Sequence, residues 1–321
     1  MLPPRFLVSI FSVGMMVLGT GAVYSQDYPN KPIRMVTTGV GGDADILLRL
    51  VMPGISDRLG QSVIIENRPA GIIPAEIVSR ATPDGYTLLT MGSPMWIGAL
   101  LQKTPYDPVR DFSPITNMTK SPAVLVVHPS VAANSVKELI ALAKSKPGQL
   151  NFGSNGGPGN IAQLSGELFS AMASVKMVHV NYKVAASLIS DMIAGRVHMR
   201  FGSGSSLMPL VAEGKLRALA VASAQPSPLY PSLPTVAASG LPGYEAVSVT
   251  SAFAPANTPA PIIRRLNQEI VRVAKTEDVK TKLFNTGAEA VGSSPAELAA
   301  LMKSDMVKFG KVIKDAGIKV D

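Results

Sequence analysis

The strongest constraint in this 321-residue chain is an alternation that recurs along most of its length. Short β-branched runs are followed by turns, and the turns by stretches of helical periodicity. Residues 33–38 form the first such run, and 45–59 the first helical stretch, in which Pro53-Gly54 should kink or split the helix. Further strands are expected at 63–66, 86–91, 124–127, 151–154, 178–180, 197–201, 216–222 and 251–254. Helices are expected at 135–146, 161–173, 185–194, 207–213 and 261–275, with a last one running from 295 to about 315. Ser135 with Glu138, and Ser294 with Glu297 around Pro295, are capping boxes that fix two of the helix starts. Residues 225–244 are rich in Pro, Ser and Gly and read as a long loop. Alternating strands and helices imply an α/β fold with a mostly parallel sheet covered on both faces. There are too many strands for one small sheet. The turns near Pro122 and at 242–251 are the natural crossing points between two domains, 27–121 plus 251–321 and 122–250.

Composition excludes several classes of function. Hydrophobic residues are 46% and charged residues 16% of the chain, so it can build a core and is not a disordered solvating segment. Without cysteine there is no disulfide scaffold, thiolate metal site or cysteine nucleophile. Three histidines, far apart, make a histidine metal cage implausible, and no cofactor is expected. The net charge of +8 comes from basic residues scattered along the chain, and aromatics are 5%. That pattern favours small anionic ligands over nucleic acid. At the N-terminus, Arg5 precedes an uncharged apolar run over 6–23, which ends in small residues. Residues 1–25 therefore read as a cleaved signal peptide that exports a soluble protein, with a retained membrane anchor as the alternative.

Two turns stand out. Thr37-Thr38-Gly39-Val40-Gly41-Gly42-Asp43-Ala44-Asp45 joins a strand to a helix, with Asp45 placed as the N-cap. Gly153-Ser154-Asn155-Gly156-Gly157-Pro158-Gly159-Asn160 does the same in the second half. Glycines let the backbone approach a ligand, and the free N–H groups of a helix start accept an anion. Two such turns suggest two helix starts facing one cleft; flexible loops are the alternative. Gly39-x-Gly41-x-x-Ala44 also fits a weak dinucleotide fingerprint, with Glu66 where a ribose-binding acid would sit. An NAD-dependent oxidoreductase is thus a competing reading, which export disfavours. No nucleophile elbow, zinc helix motif or phosphate-binding loop occurs. His179 reads as a packed sheet histidine and His128 as a loop residue. Arg200 follows His198 on the same strand face; it can meet an anion, but pairing with a local carboxylate is the simpler expectation.

The chain resembles the Bug-type substrate-binding proteins of tripartite tricarboxylate transporters. The resemblance is carried by Tyr28-Pro29-Asn30-Lys31-Pro32-Ile33-Arg34, Glu66-Asn67-Arg68-Pro69, Pro83-Asp84-Gly85-Tyr86-Thr87-Leu88-Leu89 and Pro105-Tyr106-Asp107-Pro108. It continues through Val126-Val127-His128-Pro129, Ser165-Gly166-Glu167-Leu168-Phe169, Val180-Asn181-Tyr182-Lys183, Gly214-Lys215-Leu216-Arg217 and Gly240-Leu241-Pro242-Gly243-Tyr244-Glu245. It covers nearly the whole mature chain. It implies a type II periplasmic binding protein: two α/β domains, a hinge, and a cleft that closes on a small organic acid. The implied partners are membrane permease subunits, or a signalling protein if the chain is a sensor or orphan receptor. It implies neither catalysis nor nucleic-acid binding, and a monomer. The implied ligand-binding residues are Gly39, Val40, Gly41, Gly42, Asp43, Gly92, Ser93, Ser154, Asn155, Gly156, Tyr182 and Ser203. In that family the first glycine turn and ordered waters hold one carboxylate.

This chain departs from the family pattern at the site itself. Asp43 stands for the third glycine of the turn, Thr37 for its proline and Ala44 for its threonine. Val184-Ala185 replace two glycines, Gly202 replaces an aspartate before Ser203, and Val249-Thr250-Ser251 replace Trp-Tyr-Gly. Asp43 would repel a ligand carboxylate unless it turns outward or a cation intervenes.

Overall fold

The computed structural model describes residues 28–69, 71–155 and 160–318. The expected signal peptide and Gly156 lie outside the described residues. Ten strands form a sheet ordered β2-β1-β3-β9-β4-β7-β5-β6, with β8 and β10 also pairing with β4. In chain order these strands are β1 (Ile33–Thr37), β2 (Val63–Asn67), β3 (Thr87–Gly92), β4 (Phe112–Val127), β5 (Asn151–Asn155), β6 (Val178–Tyr182), β7 (Met199–Ser203), β8 (Arg217–Val221), β9 (Val247–Pro255) and β10 (Glu289–Ala290). The helices are α1 (Asp43–Leu59), α2 (Ile73–Ser79), α3 (Pro94–Leu101), α4 (Val136–Ser145), α5 (Ile161–Ala173), α6 (Ala185–Ile193), α7 (Gly204–Ala212), α8 (Ala260–Ala274), α9 (Glu277–Asn285) and α10 (Pro295–Ala316).

The sheet is parallel only at its wings, which corrects the expectation of a mostly parallel sheet. β1 lies parallel to β2 and β3, and β5 parallel to β6 and β7. In the centre, β9 runs antiparallel to β3 and β4, and β4 antiparallel to β7 and β8. Antiparallel neighbours need no helical crossover, so the βαβ rhythm of the wings does not extend to the middle. β4 is the backbone of this arrangement. Its Phe112–Pro122 portion pairs with β9, while Ala123 to Val127 pair with β7 and β8. One strand therefore belongs to two sheet halves and changes partners at Pro122/Ala123. The sequence points to residues 124–127 alone, with a turn near Pro122, whereas the observed strand also runs through Pro114, Asn117 and Pro122. The structure absorbs them with register shifts after Pro114 and Asn117.

One apolar cluster lies beneath β1 and packs α1, α8 and α9, through Met35, Leu48, Ile55, Leu266 and Leu283. A second spans both halves: Trp96 and Phe253 on one side join Phe152, Phe169, Phe201 and Tyr244 on the other, with Phe309 of α10 in the same cluster. A third packs α6 and α7 on the outer face of β4 through Val124, Val126, Leu188 and Leu207. α10 opens with the expected capping box, Ser294 and Glu297 each bonding the other's backbone N–H. At α4, Ser135 caps the helix, but Glu138 accepts from the N–H of Asn134 instead of that of Ser135.

α1 corrects two expectations. It continues as one helix through Pro53 and is not split there, and Gly54 lets it pack closely on α8: a Cβ at Gly54 would stand 3.1 Å from Val273. It also begins two residues earlier than expected, at Asp43, with Gly42 as N-cap. Asp45 lies inside the first turn and is buried. Its Oδ2 accepts from the Gly41 N–H (3.0 Å) and Arg49 Nε (3.0 Å), and its Oδ1 from Asn67 Nδ2 (2.9 Å). The residue thus pins the glycine turn to α1 and to the end of β2.

Candidate functional site

A cavity of about 390 Å³ opens where the two sheet halves meet. Its floor is the crossing itself: Thr119, Ser121, Pro122 and Ala123 of β4 beside Ser248 and Thr250 of β9. One wall is the start of α1, with Asp43, Ile46 and Leu47, together with Leu283 and the turn Thr286-Gly287-Ala288 after α9. The facing wall is built from the carboxyl ends of β5 and β7 and the helix starts that follow them: Asn155, Asn160 and Ile161, then Arg200, Phe201, Gly202, Ser203 and Ser205. Open α/β sheets bind ligands at such strand ends, where connections diverge to opposite faces. Hydroxyls and amides alternate with aliphatic carbons around the cavity, a lining suited to an acid with an apolar body.

Arg200 is the charged group of the second wall. β7 alternates its side chains, so Met199 and Phe201 enter the shared core and Arg200 and Gly202 lie on the opposite face. Arg200 is 8% exposed. Its Nη2 donates to Asn155 Oδ1 at 2.6 Å, while its buried Nε has no hydrogen-bond partner among the described residues. Burial pushes the guanidinium below the usual arginine range, and among the described residues no carboxylate offsets the shift. The expected pairing with a local carboxylate is therefore corrected: the strand brings no acid to it. Arg200 occupies the space over Gly202, where a Cβ would stand 2.8 Å from Nε. A buried guanidinium at a cavity wall, with no carboxylate beside it among the described residues, favours an anion in that cavity.

The sequence-derived site residues scatter around this cavity. Asp43, Asn155 and Ser203 line it. Gly39, Val40, Gly41 and Gly42 form the turn that leads into Asp43. Val40 is 76% exposed at its tip, and Gly41 adopts φ +81°, a conformation that requires glycine. Gly92 and Ser93 sit at the junction of β3 and α3. A Cβ at Gly92 would lie 2.6 Å from the Val249 carbonyl oxygen, so this glycine allows β9 to pass. Ser154 is buried, with its Oγ 2.8 Å from His179 Nε2. His179 is a packed sheet histidine, its ring against Phe152 and its basicity lowered by burial. The Tyr182 hydroxyl donates to Asp191 at 2.6 Å. None of Gly39 to Gly42, Gly92, Ser93, Ser154 and Tyr182 is among the residues lining the cavity. Thr286 to Ala288 carried no signal, because α9 itself was not foreseen. Ser121 and Ser248 were hidden in strand segments that proline and serine disguised.

The dinucleotide reading fails on local geometry. Glu66 forms ion pairs with Arg34 (3.2 Å) and Arg68, so its carboxylate is engaged at the end of β2. Among the described residues no group of acids and histidines gathers to hold a metal, and no helix is long and apolar enough to cross a membrane.

Comparison with known proteins places these features. Residues 47–318 match the model of the tripartite tricarboxylate transporter family receptor. A protein encoded in the tcbD-tcbE intergenic region of Pseudomonas sp. strain P51 is 33% identical over 314 residues, covering 96% of this chain and 93% of its own. Protein BugT of Bordetella pertussis is 29% identical over 321 residues, covering 98% of each. Among solved structures, R. palustris Rpa4515 with adipate shares 33% identity at a TM-score of 0.73, covering 91% of this chain and 99% of that one. These relatives support a binding receptor, not an oxidoreductase, with the two-domain fold of periplasmic binding proteins. The chain belongs to the tripartite tricarboxylate transporter receptor family and is a Bug-type solute-binding protein.

Proposed function

We propose that this chain is exported to the periplasm, captures a small carboxylate-containing acid in the cleft, and delivers it to the permease subunits of a tripartite transporter. It acts as a monomer and catalyses nothing. The observation that carries this reading is Arg200, buried on the cavity wall with its Nε unused. A carboxylate in the cavity would supply the counter-charge that Arg200 lacks among the described residues and offset its burial. The adipate in R. palustris Rpa4515 supports an acid as the cargo. The leader that would export it is residues 1–25.

The proposed domains are 27–121 plus 251–321 and 122–250, hinged where β4 changes partners at Pro122/Ala123 and where β9 begins, with Val247 opposite Pro122. The proposed ligand set is Gly39 to Asp43, Gly92, Ser93, Ser154, Asn155, Gly156, Tyr182 and Ser203, brought together as the domains close. A ligand that touches both domains only when they are closed shifts the hinge equilibrium, which gives the permease a form to recognise.

The test is a thermal-shift screen of the purified mature protein against mono- and dicarboxylates, aromatic acids and matched amides. Acids should raise the melting temperature and their amides should not. A stabilisation shared equally by acid and amide would contradict the reading.

A further inference from the structure

The cavity carries one fixed charge of each sign, on facing walls. Arg200 on β7 is buried and lacks a carboxylate partner, whereas Asp43 at the start of α1 is exposed, lines the same cavity and forms no ion pair among the described residues. An ionised carboxylate only accepts hydrogen bonds, and a guanidinium only donates them. The two walls therefore ask for opposite chemistry from the two ends of one ligand.

The start of α1 would otherwise be the natural second seat for an anion, because it combines a glycine turn with free N–H groups. In this chain that seat is compromised twice. The Gly41 N–H is already donated to the buried Asp45 carboxylate, and Asp43 places a negative charge in the first turn itself. Arg200 meanwhile is held in place by Asn155 and covers Gly202, so its charge cannot swing away from the cavity without leaving a buried void. Thr119, Ser121, Ser248 and Thr250 between the two walls are neutral hydroxyls that favour neither sign.

We propose that the cleft selects an acid with a single anionic end: the carboxylate binds Arg200, and the far end, a hydrogen-bond donor or a cation, faces Asp43. Dicarboxylates are discriminated against by Asp43. This rests on the acid-binding reading of the site and refines its ligand class. The apolar body of such an acid would lie against Ile46 and Ile161.

The experiment is isothermal titration of the mature protein with three pairs matched in length. They are γ-aminobutyrate against succinate, ε-aminocaproate against adipate, and para-aminomethylbenzoate against terephthalate. In at least one pair the amino acid should bind about tenfold or more tighter than the diacid, a difference that like-charge repulsion in a partly desolvated cleft readily produces. Asp43→Asn, at an exposed position, should fold normally and bring the preference close to unity by strengthening diacid binding. Arg200→Met should weaken both members of the pair alike. Equal or tighter binding of the diacids, or a preference that persists in Asp43→Asn, would overturn the single-anion inference and leave the acid-binding function standing. If no probe of either kind binds, the inference and the acid-binding reading both fall.

Discussion

The guanidinium of Arg200 fills the space that a side chain at Gly202 would occupy, with Nε 2.8 Å from where the Cβ would stand. The two residues are neighbours on one face of β7, and the absence of one side chain makes room for the other. Gly202→Asp should therefore do more than crowd the strand. It would supply the carboxylate that Arg200 lacks and cancel the positive charge of the cavity. The expected result is loss of acid binding by about tenfold or more, with the native circular dichroism spectrum retained. Undiminished acid affinity in this variant would show that Arg200 is not the anion's anchor.

Arg200→Met should not destabilise the apoprotein. Removing an unpaired buried charge relieves a desolvation cost, and methionine fills much of the same volume. The melting temperature of the ligand-free variant should stay level or rise. A fall equivalent to more than about 2 kcal/mol would mean that the Asn155 contact holds β5 and β7 together and that the residue is structural.

Asp45 ties the glycine turn to α1. The hydrogen bond from Arg49, with further bonds from Gly41 and Asn67, holds its carboxyl down to about 2 against the opposing effect of burial. A carboxylate whose folded value lies below its unfolded one contributes stability above the unfolded value, near pH 4, and loses it as pH falls through the folded value. Wild-type stability should therefore decline between about pH 4 and pH 2, and Asp45→Asn should flatten part of that decline. At neutral pH the same substitution should cost about 1–3 kcal/mol by chemical denaturation, from loss of charge-assisted bonds at a buried site.

Glu66 separates structure from site. It pairs with Arg34 and Arg68 and does not line the cavity. Glu66→Gln should leave acid affinity within about threefold by titration, since partly exposed ion pairs contribute about 0–1 kcal/mol. Gly41→Val tests the turn: at φ +81° a β-branched residue is strained, and melting should fall by a clear margin even though the turn is open to solvent.

The wings of the sheet were legible because βαβ units repeat a local pattern of turn, cap and periodicity. The helix from Pro295 could be placed from Ser294, Pro295 and Glu297 alone. The centre was not legible, because β4 is a long-range structure. Its residues Thr116, Asn117 and Thr119 are polar, lie near Pro114, and are paired as strand with β9, more than a hundred residues away in sequence. Asp45 was misplaced as a cap because a buried acid that reaches back to a turn from inside the first helical turn has the same local sequence as a cap. Arg200 was visible as a strand arginine. Its lack of a carboxylate partner among the described residues depends on what β4 and β5, the neighbours of β7, bring near it, and no local pattern encodes that.

The central claim is that a buried arginine on β7 anchors the carboxylate of a small acid between two closing domains. It is tested most directly by calorimetric titration of wild type and Arg200→Met with whichever acid gives the largest thermal shift. The account predicts a one-to-one complex for wild type and a loss of about a hundredfold or more in the variant, corresponding to about 2.7 kcal/mol. Binding within threefold of wild type by a folded Arg200→Met protein would contradict it.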